Sequence, residues 1–378
     1  MTALVTRAAV LRRGVDAAPL DFSRLAVEEV SLEEPRPHEV LVQIAYASLC
    51  HSDLSVITGD RPRPLPMVLG HEASGRVLGV GSAVDGLHVG DHVVFTYVAA
   101  CGRCRFCRGG RPVLCSEAGA GNAAGELVSG GSRITDATGA RLHHHLGLSA
   151  FADYAVVDQN SLIRVPSTLD LRAAALFGCA VTTGVGAVVN SGDVQLGQSA
   201  AVFGCGGVGL AAILGLKAVG AGPIVAVDRS ESQLALARGL GADITLVSSE
   251  NTSAEIIELT GGGVDHAIDA SGALPAIEMA LASLLRGGQL VLVGLPNPAA
   301  RWSVFPAWLV ANDVTVRGSY MGSCVPARDV PRFVQLFEHG RLPVDRLVGT
   351  TISLAEIADG MAQLHEGHPG RIVVDLSA

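Results

Sequence analysis

Aromatic side chains are scarce in this sequence: 9 Phe, 4 Tyr and 2 Trp among 378 residues. That leaves few flat faces on which nucleic-acid bases stack. Basic residues are in deficit too, 27 Lys+Arg against 36 Asp+Glu, a formal net charge of −9. A phosphate backbone wants a basic face, so nucleic acid is not an expected partner. No run of about 18 uncharged apolar residues occurs, so no membrane span is expected. The opening segment MTALVTRAAVLRR has no apolar core segment and no small-residue cleavage site. A secretory leader is therefore not expected, and the cytoplasm is the expected location. Thiols stay reduced there, so the 8 Cys need a use other than disulfides.

What is present is a globular composition, 49% hydrophobic and 17% charged, with ample core and no sign of disorder. The length suits two or three domains of roughly 100–200 residues. Residues 1–180 read as strand-rich, with short apolar runs at Val40–Ile44, Val77–Val80 and His92–Phe95 fenced by Gly, Pro or Asp. From 181 to 320 strands and helices alternate. Ala200–Phe203 is a buried-type strand, followed by a glycine cluster and an Ala/Leu-rich helix to about Val219. Ile224–Val227 is the next strand, Glu231–Leu240 a helix, and Val264–Ile268 and Gln289–Val293 are further strands. This alternation is the pattern of an α/β doubly wound parallel sheet. Residues 321–378 return to mixed helix and a last strand at Arg371–Asp375, and there is no internal repeat.

Cys101, Cys104, Cys107 and Cys115 place four thiols in one Gly- and Pro-containing segment, read as a loop. Four thiolates are what a closed, structural zinc site needs. Four cysteines also suit an iron–sulfur cluster, but nothing else in the chain suggests electron relay.

Gly204, Gly206, Gly207 and Gly209, with Val208 between the last two, follow a strand and open a helix; Asp228 ends the next strand. In that context the glycines let the backbone approach a pyrophosphate at a helix N-terminus. The Asp228 carboxylate accepts from ribose hydroxyls and repels a 2′-phosphate, which favours NAD over NADP. Arg229 is the counter-signal, because a guanidinium there can meet a phosphate.

Three more residues stand in distinctive contexts: Cys50 in CHSD, His71 in GHE and Cys179 in GCAVTTG. Gly70-His71-Glu72 continues as x2-Gly75-x5-Gly81-x2-Val84. With these motifs the chain resembles, over nearly its whole length, a zinc-dependent alcohol dehydrogenase of the medium-chain dehydrogenase/reductase superfamily, long form. The resemblance implies a β-rich GroES-like catalytic domain over 1–180 and 321–378, with a Rossmann dinucleotide domain over 181–320. It implies two zinc ions per chain, a structural one in the four-cysteine lobe and a catalytic one on Cys50, His71 and Cys179. Three protein ligands leave a fourth position for substrate, where zinc acts as a Lewis acid. The implied reaction is hydride transfer between NAD and a primary alcohol, medium-sized or aromatic, held at zinc as the alkoxide.

Further roles follow from the same resemblance. Asp53 would orient the His71 imidazole and Glu72 would lie near the metal. Ser52 would hydrogen-bond the zinc-bound alcohol, and the relay from it through the cofactor ribose would end at His51 or in water, because Ser55 stands where some members have a histidine. His51 and Arg371 would meet the pyrophosphate; Thr183, Val208 and Val293 would pack on the nicotinamide. Gln233 replaces a lysine common in the family and removes one ribose contact. The substrate pocket would be lined by Arg61, Tyr97, Ala120, His145, Leu146, Leu295 and Ser319. Arg61 would sit at its mouth as an anchor for an anionic tail, and Ala120 would leave room. His143–His145 also reads as a plain surface strand. The glutathione-dependent formaldehyde branch has an acid where Arg61 stands and an arginine where Ala118 stands, so both positions depart from it. A dehydrogenase of hydroxymethyl-thiol adducts is the alternative enzyme, and a non-catalytic dinucleotide sensor the alternative of another class. A small-molecule alcohol or aldehyde is the expected partner, and a homodimer the expected assembly.

Overall fold

The computed structural model describes residues 4–14 and 20–377. The chain divides into two compact units, Met1–Cys179 with Val325–Gln335 and Val348–Ala378, and Ala180–Cys324 with Leu336–Leu347.

The first unit is built on two sheets of five and seven strands. Its longest strand, Glu39–Ser48, shows why. Val40, Val42 and Ile44 are fully buried while Leu41 and Gln43 are half-exposed, the two-residue alternation of a strand with one face on the core. It pairs antiparallel with Ala73–Val80 along one edge. Along the other it meets Tyr154–Asp158 near its start and Arg371–Asp375 near its end. The last strand of the chain thereby completes the sheet from which the metal-site residues project. A second antiparallel pair, Leu4–Leu11 with Leu25–Leu32, anchors the smaller sheet.

The second unit is a six-stranded sheet with every neighbouring pair parallel. In spatial order the strands are Ile244–Val247, Ile224–Asp228, Ala200–Phe203, Val264–Asp269, Leu284–Leu292 and Thr315–Gly318. This is the doubly wound order, with its switch point beside Ala200–Phe203, where ligands sit in such folds. The four residues of that strand are completely buried, as a central parallel strand covered on both faces requires. At the far edge, all of Thr315–Gly318 is exposed. Among the described residues no single helix is long and apolar enough to cross a membrane.

Candidate active site

The four thiols of the lobe converge: their sulfurs all lie within 4.8 Å of one another. The segment is not the plain loop its glycines suggested. Arg105–Arg108 forms a helical turn and Ser116–Ala124 a helix. Backbone amides aimed at sulfur explain the difference. Cys104 N–H points at Cys101 Sγ (3.4 Å), Cys107 N–H at Cys104 Sγ (3.5 Å) and Cys101 N–H at Cys115 Sγ (3.4 Å). The amides of Cys107 and Ser116 pull the Cys104 thiol down to about 6, whereas burial and the neighbouring Cys104 push Cys107 up to about 12. Arg103 clasps Glu117 at 2.7 Å across the lobe. Four sulfurs with no open position fit a structural zinc.

The second set is gathered from three elements. Cys50 is the N-cap of the helix His51–Ile57, His71 lies just before the strand Ala73–Val80, and Cys179 follows the turn Leu176–Gly178. Their ligand atoms are also within 4.8 Å of one another, and all three residues are buried. His71 Nε2 is buried with no hydrogen-bond partner. An orphaned imidazole nitrogen facing two thiols is costly unless an ion takes the lone pair, and two sulfurs with one nitrogen are a donor set zinc accepts. The cysteine pair is prepared for a cation. Cys50 is pushed well below the usual thiol value, chiefly by its hydrogen bond with Cys179 and then by His71 and Arg371.

Asp53, as expected, lies against His71, with Nδ1 3.1 Å from Oδ1 and Oδ2 alike. Gly70 donates its amide to the same Oδ1 at 3.0 Å. Gly70 sits at φ +95°, and a Cβ there would strike the Phe151 backbone amide, so glycine is required one residue before the ligand. Burial alone would raise Asp53, but the charge of His71 and the contacts with His145 and His71 outweigh it and hold the carboxyl below its usual value. Burial would likewise lower His71; Asp53 reverses the effect and raises it.

Arg371 was expected at a pyrophosphate; its guanidinium forms a buried ion pair with Glu72, and Nε donates to Ser48 Oγ at 3.0 Å. Glu72 is fully buried in that pair. Ser52 Oγ is 3.8 Å from Cys50 Sγ, and His51 is exposed one residue earlier. Of the expected pocket residues, Tyr97 stands edge-on to His71 with ring centroids 5.6 Å apart. His143 and His144 do form a short strand, but His145 does not continue it. It turns inward, 1% exposed, with Nδ1 2.9 Å from Asp53 Oδ1. Leu146, buried beside it, has φ 51°. Ala120 is exposed on the helix Ser116–Ala124, and half-buried Arg61 has its amide on the Ser55 carbonyl. Leu295 and Ser319 belong to the second unit. Leu295 is 59% exposed, and Ser319 accepts from Ser191 at 2.7 Å. Sequence reasoning missed Arg63, whose Nη1 donates to the Asn122 carbonyl (3.2 Å) while Asn122 Nδ2 donates to the Tyr97 carbonyl (3.3 Å). Only the repeated Arg-Pro of Arg61–Pro64 hinted at it.

In the second unit Gly204 adopts φ +89°, and a Cβ on Gly209 would collide with the Gly204 carbonyl. A Cβ on Gly206 would meet nothing within 4 Å, so the loop presents bare backbone to open space at the start of the helix Gly207–Val219. Asp228 is held rigidly beneath it. Oδ2 accepts the Cys205 amide at 2.6 Å and Oδ1 the Ser230 amide at 2.9 Å. Arg229 is exposed and Val208 half-buried; Val293 and Thr183 are buried, and Thr183 donates to Met321 Sδ. These residues fit a dinucleotide: open backbone for the phosphates and a fixed carboxylate for the ribose.

The comparisons with known proteins agree with this chemistry. Residues 36–167 match the alcohol dehydrogenase GroES-like domain, and residues 207–339 match the zinc-binding dehydrogenase domain. The S-(hydroxymethyl)glutathione dehydrogenase of Synechocystis sp. is 35% identical over 355 residues, covering 93% of this chain and 96% of that protein. Among solved structures, an alcohol dehydrogenase zinc-binding domain protein from Burkholderia ambifaria superposes with TM-score 0.93 at 38% identity over 99% of both chains. Benzyl alcohol dehydrogenase from Acinetobacter calcoaceticus does so with TM-score 0.91 at 32% identity, over 98% of this chain and 99% of that one. With both domain models matched and relatives alike over almost the full length, the chain belongs to the zinc-dependent alcohol dehydrogenases of the medium-chain dehydrogenase/reductase superfamily.

Proposed function

We propose that this protein is an NAD-dependent oxidoreductase interconverting a primary alcohol, medium-sized or aromatic, and its aldehyde. The observation that carries the reading is the three-ligand set Cys50, His71 and Cys179, with the orphaned Nε2 of His71 facing two thiols. Zinc on these residues supplies a Lewis acid that acidifies the alcohol hydroxyl. Asp53 fixes which nitrogen of His71 faces the ion. Ser52 would accept the hydroxyl proton as it gives up its own, and the relay would end at His51 or in water. A bound nicotinamide would supply the hydride acceptor, and Asp228 would hold its adenosine ribose. NAD rather than NADP follows from the position of that carboxylate, which is fixed by two backbone amides and so cannot turn away from a 2′-phosphate.

The likeness to benzyl alcohol dehydrogenase supports an aromatic alcohol. The second reading, oxidation of a hydroxymethyl-thiol adduct, is favoured by the names of the curated relatives. Against glutathione itself stands Ala118, which is buried in the small core of the lobe beside Cys115 and leaves no room for the arginine of that branch. A substrate panel with NAD separates the readings: benzyl alcohol and medium-chain primary alcohols against formaldehyde plus glutathione. Efficient turnover of the glutathione adduct alone would overturn the first reading, and zinc content other than two per chain would overturn the metal assignment.

We further infer a homodimer joined along Thr315–Gly318. That edge is wholly exposed, and Phe305 and Val310 near it are each 82% exposed, a liability for an isolated sheet edge. Val316→Lys is expected to shift the sedimentation coefficient to that of a monomer.

A further inference from the structure

Asp53 is a fully buried acid on which three donors converge. The Gly70 amide, His71 Nδ1 and His145 Nδ1 lie 3.0, 3.1 and 2.9 Å from the same oxygen, Oδ1. Oδ2 has no straight hydrogen bond among the described residues. The carboxylate is thus held chiefly through Oδ1, although His71 Nδ1 also lies 3.1 Å from Oδ2.

His145 is placed to confine it. Its ring is buried and stands edge-on to the His71 ring, with centroids 5.3 Å apart and planes at 88°. It therefore touches both members of the carboxylate–imidazole pair: Asp53 through Nδ1 and His71 through ring packing. Its approach to Asp53 is short but off the straight hydrogen-bond line, a contact between an N–H dipole and a charge. Burial pushes the His145 imidazole below its ordinary value, against the opposing pull of Asp53. A carboxylate oxygen 2.9 Å away accepts, so Nδ1 is the nitrogen that carries a proton toward Asp53.

Resting on the zinc reading above, we propose that His145 is a positioning residue for the metal site: it clamps Asp53 against His71 so that His71 Nε2 stays aimed at the ion. A mere pocket wall would need bulk at this position but no nitrogen. A clamp needs a polar N–H at the Nδ1 position. Groups that orient a metal-bound histidine typically change metal affinity 10- to 100-fold when removed.

The test replaces zinc by cobalt(II) in the whole chain. It follows the visible absorption of the Cys50–His71–Cys179 site and its cobalt affinity by competition with a chelator. In His145→Leu, which keeps bulk and removes the nitrogen, affinity at that site is expected to fall about tenfold or more. The absorption band is expected to shift, while the four-cysteine lobe is unchanged. His145→Asn sets an amide near the Nδ1 position and is expected to keep most of the affinity and the parent band. His145→Gln, whose amide reaches the Nε2 position instead, replaces the leucine variant should that one not fold, with the same expected loss. A leucine or glutamine variant with parental band and affinity overturns the proposal, as does an asparagine variant that loses as much as they do. A parent chain that takes up cobalt only in the lobe overturns instead the assignment of Cys50, His71 and Cys179 as ligands, and the two failures are told apart by that control.

Discussion

All four thiols of the lobe come from residues 101–115, three of them half-exposed, whereas the other metal site draws Cys50, His71 and Cys179 from three distant segments and buries all of them. Local backbone amides shape the first set: each of three sulfurs accepts an N–H from within its own segment. Tertiary structure shapes the second, through Asp53, Gly70 and the ion pair Glu72–Arg371. A site made from one segment holds that segment together; a site made from three is held together by the fold and so can leave one coordination position open. On the proposed reading the first therefore contributes folding energy and the second contributes chemistry.

Exchanging single cysteines is the strongest way to break this comparison. Cys179→Ser is expected to cut kcat by about a thousandfold or more, since Lewis-acid assistance is worth several kcal/mol and each 1.36 kcal/mol is a decade. Its melting temperature should stay near that of the parent. Cys104→Ser is expected to do the reverse, lowering the melting temperature by several degrees while molecules still folded turn over nearly as before. If melting curves and kcat show the two variants behaving alike, the division of roles is wrong.

The dinucleotide loop extends the contrast, since Gly204–Gly209 is contiguous like the lobe but depends on one distant acid. Asp228→Asn removes the repulsion of a 2′-phosphate, and the ratio of kcat/KM for NAD over NADP is expected to fall about tenfold, one decade per 1.4 kcal/mol. Equal catalytic efficiency with the two cofactors in the parent would refute the role of Asp228.

The smallest expected effect is a difference in proton count. Zinc displaces protons only from thiols that still carry them. In the metal-free lobe Cys104 ionises at about 6 and Cys107 at about 12. At pH 7 Cys104 has already lost its proton, so lobe zinc affinity should rise with pH less steeply than four thiols require. Below pH 6, where Cys104 is protonated, the slope should steepen by one proton. Calorimetric zinc titrations of metal-depleted chain in buffers of different ionisation enthalpy measure that count.

The same contrast decides what the sequence made legible. Spacing alone exposed the lobe, and the helix Glu231–Leu240 and the strands His92–Phe95 and Arg371–Asp375 have the bounds their patterns predicted. Val40–Ile44 was visible only as the middle of Glu39–Ser48, because the ends of that strand are set by partners from Tyr154–Asp158 and Arg371–Asp375. Glycine and proline density hid the helical turns of the lobe. Contacts between remote residues left no local trace: Arg371 on Glu72 across 299 positions, His145 on Asp53, and the fully buried, bidentate pair of Arg133 with Glu39 across 94. Nothing in a linear pattern says that a charged side chain will find its partner so far away.

The strand Arg371–Asp375 has a consequence for how the molecule is made. Its antiparallel neighbour Glu39–Ser48 leaves the ribosome more than 300 residues earlier, an interval on the order of ten seconds or more at ordinary elongation rates. The lobe is complete in sequence as soon as Cys115 emerges and can capture zinc on the nascent chain. Glu72, by contrast, waits as a carboxylate without its countercharge until Arg371 arrives. The structural metal should thus be loaded before the catalytic one, and ribosome-bound chains stalled before Arg371 should carry one zinc and not two.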